Sequence, residues 1–178
     1  MRPVPRPALL FTVYGAFAGA IFVNPARARA FGKEWASSSA ALKLKEQHAA
    51  AFEGEAVVPK FSDSGYPDMG HGRYGDSLPY RDWWAFNNAQ RVHGNLVEGL
   101  PSLIALHLCA GVYFPLPAAA LAVPWIISRH VWGKNYITFG SEGRFGSIGG
   151  LQYLSVVSWL ALAVAGSLKA TGLSGSLF

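Results

Sequence analysis

Phe86-Asn-Asn-Ala-Gln-Arg-Val-His-Gly-Asn-Leu-Val-Glu-Gly-Leu-Pro101 leads without a break into an apolar run that ends near Phe114. Arg91, Asn95 and Glu98 are spaced by four and then three positions, so a helix sets them on one face. Charged groups at the edge of a hydrocarbon layer are expensive and normally face a protein interior or a wet cavity. The stretch therefore reads as a membrane helix entered through a polar face.

Three further runs extend this reading. Pro7 to Val23 is PALLFTVYGAFAGAIFV, Pro117 to Trp132 is apolar until Arg129, and Gly149 to Leu168 has no charge. A transmembrane helix needs about 20 mostly apolar residues at roughly 1.5 Å each. The expectation is one all-α membrane domain over residues 1–178, with spans at about 7–23, 84–113, 117–138 and 147–169 and a long polar loop over 24–83. The polar segment 24–86 holds the mean hydropathy to +0.23. The first run has a rival reading as a secretory signal peptide, because Arg2 and Arg6 precede it and Ala28-Arg29-Ala30 follows. Its length favours a true span, on which Gly15 and Gly19 form a GxxxG suited to close helix packing.

Composition agrees. Of 178 residues, 51% are hydrophobic and 14% charged, against about 25% charged in a soluble domain. That excludes a disordered chain and argues against an ordinary soluble enzyme. The single cysteine, Cys109, excludes an intramolecular disulfide framework or a cysteine-rich zinc module and reads as a buried small residue. The net charge of +5 comes from scattered residues with no basic block, so no nucleic-acid partner is expected. Arg27, Arg29, Lys33, Lys134 and Arg144 lie in the 24–90 loop and the loop after the third span. This bias sets both long loops on the cytosolic or matrix side. Within the first loop, Ser37 to Ala51 has helical propensity, and Phe61 to Tyr80, rich in Gly, Pro, Asp and Ser, reads as irregular.

The third span repeats the polar pattern. Arg129, Trp132 and Tyr136 are spaced three and four, again on one face. Measured from the turn near 111–117, Glu98 to Arg91 lie roughly 20–30 Å away and Arg129 to Tyr136 roughly 18–28 Å away. Both polar faces thus approach the loop-side membrane surface. A pocket there suits a small zwitterion with more than one carboxylate, since arginine binds carboxylates bidentately and Glu98 can take an ammonium group. The alternative is that Arg91 and Glu98 only staple helices together.

Asn87 to Pro101 (NNAQRVHGNLVEGLP), then an apolar span, GVYFP, a third span with an arginine and a glycine-rich charged loop, resembles the MAPEG family. These are the membrane-associated proteins of eicosanoid and glutathione metabolism, and the microsomal glutathione transferase branch is nearest. The preceding YPDMGHGRYGD looks like that branch's entry to its second helix. The resemblance covers about residues 64–168, and residues 34–60 look like an insertion. It implies a left-handed bundle of four transmembrane helices that trimerises, with glutathione as co-substrate between protomers. By motif position, Arg91, Asn95, Glu98, Arg129 and Tyr136 match glutathione-binding residues, and Arg144, in GSEGRFG, matches an arginine near the glutathione sulfur. Trp132, and Gly99 after the acid, stand where members of the family carry tyrosine.

Glutathione would bring the nucleophile. Its thiolate, favoured by Arg144, would attack a lipophilic electrophile or a lipid hydroperoxide arriving from the bilayer. No metal is expected, because no His/Cys/Glu cluster has zinc-like spacing. Nor is haem expected. His93 and His107 are 14 apart, but only His130 on another span could serve as a second axial ligand. Two functions follow: a glutathione transferase or peroxidase in the endoplasmic reticulum or mitochondrial membrane, or a non-catalytic subunit of this fold inside a larger membrane complex.

Overall fold

The computed structural model describes residues 7–172. Among them the regular structure is helical and there is no strand. Helix α1 (Pro7–Ala18) passes through a π-helical turn (Gly19–Val23) into α2 (Asn24–Ala30), and α3 (Lys33–Ala36) and α4 (Ser39–Ala51) follow. A short α5 (Arg73–Asp76) precedes the long α6 (Tyr80–Tyr113). The chain continues through α7 (Pro115–Ala120), α8 (Ala122–Gly143), a 3₁₀ turn (Gly149–Leu151) and α9 (Gln152–Ala170). Two helical stretches among the described residues are long and apolar enough to cross a membrane, Tyr80–Tyr113 and Gly149–Ala170. The other two expected spans are helical but fall short of that class. Helix α1 has 12 residues, and α8 carries Arg129, Lys134 and Glu142.

The polar loop expected from residue 24 begins later, because helix continues to Ala30. Pro25 lacks an N–H and its ring crowds the carbonyl four residues back, so it normally breaks a helix. The wide π turn immediately before it relieves that clash, and the good helix formers of NPARARA continue the helix. The helix expected over 37–51 is α4, which starts where the Ser38 side chain accepts the Ala41 N–H at 3.2 Å. The chain from 53 to 60 is exposed at every position. Limited digestion by a glutamate-specific protease should therefore cut first after Glu53 or Glu55, not after Glu46 inside α4. Peptide mass mapping checks this, and an initial cut within α4 would contradict it.

The described chain forms two compact units, one of residues up to Ala18 together with those from Gly94 onward, the other of Gly19–His93. In the first, Phe11 of α1 is fully buried and meets three rings edge-on: His107 of α6 at 5.0 Å, Trp125 of α8 at 5.3 Å and Trp159 of α9 at 5.2 Å between centroids. Helices in lipid gain little from hiding apolar surface from water, so such close ring packing is the main glue. Buried polar groups add direction. Trp159 Nε1 donates to the Ala118 carbonyl at 2.9 Å, and Ser128 Oγ donates to the carbonyl of Ile148 at 2.9 Å while accepting the Gln152 N–H at 2.6 Å.

The second unit has its own core of Val23, Ala30, Phe31, Trp35, Ala41, Leu78 and Phe86. Phe31 stands edge-on to Trp35 at 4.9 Å and to Phe86 at 5.4 Å. Its irregular part is organised by Asp68, whose carboxylate accepts the N–H groups of Gly70 at 2.6 Å, Gly72 at 3.1 Å and Gly75 at 2.8 Å. Arg27 donates to the Asp68 carbonyl at 2.7 Å, with its guanidinium over the rings of Phe86 (4.8 Å) and Tyr66 (5.5 Å). The Gly70 carbonyl accepts Trp83 Nε1 at 2.7 Å and Asn87 Nδ2 at 3.1 Å, which ties the loop to α6. Gly70 has φ +94°, and a Cβ there would lie 3.2 Å from Asn87 Cα, so glycine is required.

Candidate functional site

Helix α6 buries Phe86, Ala89, Val92 and Leu96, then Leu103, His107 and Ala110, a stripe at helical spacing. Arg91 and Glu98 fall off that stripe and are exposed, and Asn95 is half-buried. Arg91 belongs to the second unit, while Asn95 and Glu98 belong to the first.

Helix α8 presents its polar side chains differently. Arg129 is buried, 7% exposed, and its guanidinium lies 4.2 Å from the Trp132 ring. Trp132 in turn lies 5.2 Å from the Tyr136 ring, so the three do share one face. Arg129 Nη1 donates to Gln152 Oε1 at 3.3 Å, and Gln152 Nε2 donates to the Gly149 carbonyl at 3.1 Å. Trp132 Nε1 is buried with no hydrogen-bond partner among the described residues. Gln152 was missed in the sequence. Its signal was a lone amide near the start of an apolar, uncharged run.

The regular part of α8 ends at Gly140, whose φ of 76° and ψ of −168° are open only to glycine. Beyond it, half-buried Arg144 donates through Nη1 to the Ser141 carbonyl and stacks 4.5 Å from the Phe145 ring. Asn135 Nδ2 donates to the Gly146 carbonyl at 2.8 Å. The returning chain passes close to α8, because a Cβ at Gly149 would lie 2.7 Å from the Arg144 carbonyl oxygen and 3.2 Å from Trp132 Cα. The structure thus groups Arg129, Trp132 and Tyr136 and runs the Arg144 loop back over Trp132, while the Arg144 guanidinium itself turns to Ser141 and Phe145.

Two other residues weighed in the sequence are also located. Cys109, expected as buried, is exposed. It lines an apolar groove of about 700 Å³ with Ser102, Ala163 and Ser167. The Ser167 hydroxyl donates to its own helix at Ala163, which keeps the groove wall apolar. His107 is enclosed by the rings of Phe11 and Trp159. Among the described residues no group of three or more His, Cys, Asp or Glu could hold a metal ion.

The model of the MAPEG family matches residues 48–165. The chain belongs to the MAPEG family. Membership makes it an integral-membrane protein, which agrees with its two long apolar helical stretches, and places it broadly in membrane glutathione or eicosanoid metabolism. No solved structure matches the chain. The match takes in every candidate residue of the MAPEG-like site, from Arg91 to Arg144, and leaves out residues 1–47, which hold part of the second unit's core.

Proposed function

We propose that this MAPEG member is a membrane glutathione transferase or peroxidase of the microsomal type, working as a homotrimer of left-handed four-span bundles. The observation that carries the reading is the contrast between its polar faces. Arg91 and Glu98 are exposed on α6, whereas Arg129 is buried beside a Trp132 N–H that has no acceptor among the described residues. Glu98 is 15 residues from the end of α6 at Tyr113, roughly 22 Å along a layer about 30 Å thick. A bare carboxylate at that depth calls for a partner. A neighbouring protomer with glutathione between them supplies one.

In this reading Arg91 and Arg129 take the carboxylates of glutathione, Glu98 takes its ammonium, and Asn95 and Tyr136 complete the polar contacts. Arg144 stabilises the thiolate. The sulfur then forms a C–S bond to a lipophilic electrophile as the leaving group departs with its electron pair. Metal and haem have no part in it. The partners are glutathione, a lipophilic substrate and membrane lipid, and the long loops lie on the cytosolic or matrix side of the endoplasmic reticulum or mitochondrial membrane.

A second reading, a non-catalytic subunit of a larger complex such as one of the mitochondrial inner membrane, draws on the second unit. Its core includes Val23, Ala30, Phe31, Trp35 and Ala41, all ahead of the family match, and such an added unit offers a surface for foreign chains.

Native mass spectrometry from mild detergent with glutathione present tests both. The expected species is three times the chain mass carrying glutathione. Arg91→Ala should weaken that binding by about 1.5–3 kcal/mol, the worth of a hydrogen bond to a charged group. A single copy among unrelated chains, without glutathione, would overturn the enzyme reading.

A further inference from the structure

We infer that Asn135 is a positioning residue: it holds the loop that carries Arg144 and so sets how far bound glutathione ionises. The inference rests on the reading of Arg144 as the thiolate partner. Three features of the first unit carry it.

First, the loop is bounded at both ends. At Gly140 the backbone leaves helical geometry in a conformation that only glycine tolerates. At the other end, Ser128 Oγ donates to the carbonyls of Ile148 and Gly149 and accepts the Gln152 N–H, a buried knot between α8 and the start of α9. Between them the chain turns on itself through Gly146 N–H to Gly143 O at 3.0 Å and Gly149 N–H to Gly146 O at 3.2 Å.

Second, Arg144 is bound within the loop. Its guanidinium donates to the Ser141 carbonyl and lies on Phe145, both loop neighbours. The position of its charge therefore follows the position of the loop.

Third, a side-chain hydrogen bond joins the middle of the loop to α8: Asn135 Nδ2 donates to the Gly146 carbonyl, across 11 residues. Asn135 precedes Tyr136 and follows Trp132 by three, so it transmits the register of the aromatic face to the loop. The bond is exposed, so water can take its place when the amide is removed and the fold tolerates its loss. Its loss should displace the Arg144 charge without dismantling the buried Ser128 knot.

The test uses the full-length protein in mild detergent. The ultraviolet thiolate absorbance of bound glutathione is titrated against pH for the wild type, Asn135→Ala and Asn135→Gln, beside kcat, glutathione Kd and amide exchange over residues 141–148. Asn135→Ala should raise the pH of half-ionisation by about one unit, a tenfold loss of thiolate below it. It should lower kcat in proportion, leave Kd within about twofold and speed exchange in the loop. Asn135→Gln, which keeps the amide donor, should recover part of the ionisation. If the wild type ionises glutathione and Asn135→Ala ionises it equally, the inference is wrong while the glutathione reading stands. If Asn135→Ala weakens binding with the ionisation curve unmoved, Asn135 serves binding and the inference is again wrong. A wild type that binds no glutathione removes the reading beneath it, and the inference with it.

Discussion

Trp159→Ala should destabilise the protein by about 3–5 kcal/mol, the range for removing a large aromatic from a packed core. Trp159 is fully buried on α9, stands edge-on to Phe11 at 5.2 Å and to His107 at 5.4 Å, and donates its indole N–H to the Ala118 carbonyl at 2.9 Å. Inside a bilayer the loss is mostly of contact rather than of shelter from water, so the cost comes from the cavity and from the carbonyl left without a donor. Trp159→Phe keeps much of the ring packing and should cost clearly less. Unfolding in detergent followed by circular dichroism measures both. A Trp159→Ala protein within about 1 kcal/mol of the wild type would mean that the ring cluster does not hold the first unit together.

The second large effect is expected at Asp68, and it depends on pH. Burial disfavours the Asp68 carboxylate, but the N–H groups of Gly75, Gly70, Gly72 and His71 outweigh that and hold the carboxyl below the usual carboxylate range. A group with a depressed folded-state pKa stabilises the fold fully above its unfolded value, about 3.9, and loses that contribution as pH falls through the folded value. Asp68→Ala should cost about 1.5–3 kcal/mol at neutral pH, the worth of one charged hydrogen bond, because the half-buried loop lets water reach the other donors. Amide exchange at Gly70, Gly72 and Gly75 should accelerate in the variant. On acidification the wild type should converge on the variant below about pH 4. A constant stability difference from neutral to strongly acid pH would show that the carboxylate charge is not what organises this loop.

Much of the membrane unit was legible because its signals are local. The apolar run that ends near Phe114 and the three-then-four spacing of Arg129, Trp132 and Tyr136 each lie within a single helix, so run length and the helical repeat read them directly. Ser38 as the start of α4 was legible within two residues for the same reason. The hydrogen-bonded residues around the site were not. Arg129 reaches Gln152 across 23 residues and Asn135 reaches Gly146 across 11. No periodicity encodes such pairs. Asp68 was hidden for a related reason. A stretch dense in Gly, Pro and Asp predicts irregular chain, but it does not say that one carboxylate will gather three glycine N–H groups.

By itself the sequence determined an all-helical membrane protein, its polar faces and its family pattern, because hydrophobic run length and the helical repeat are short-range quantities. Only the tertiary structure decided which side chains lie inside. Arg129 turned inward to Gln152 and Trp132, while Arg91 and Glu98 stayed on the surface and Cys109 faced an open groove. It also decided that residues from Gly19 to His93 build a core of their own around Phe31. Burial depends on what distant segments bring to the same place. Phe31 meets Phe86 across 55 positions, and no local pattern could have joined them.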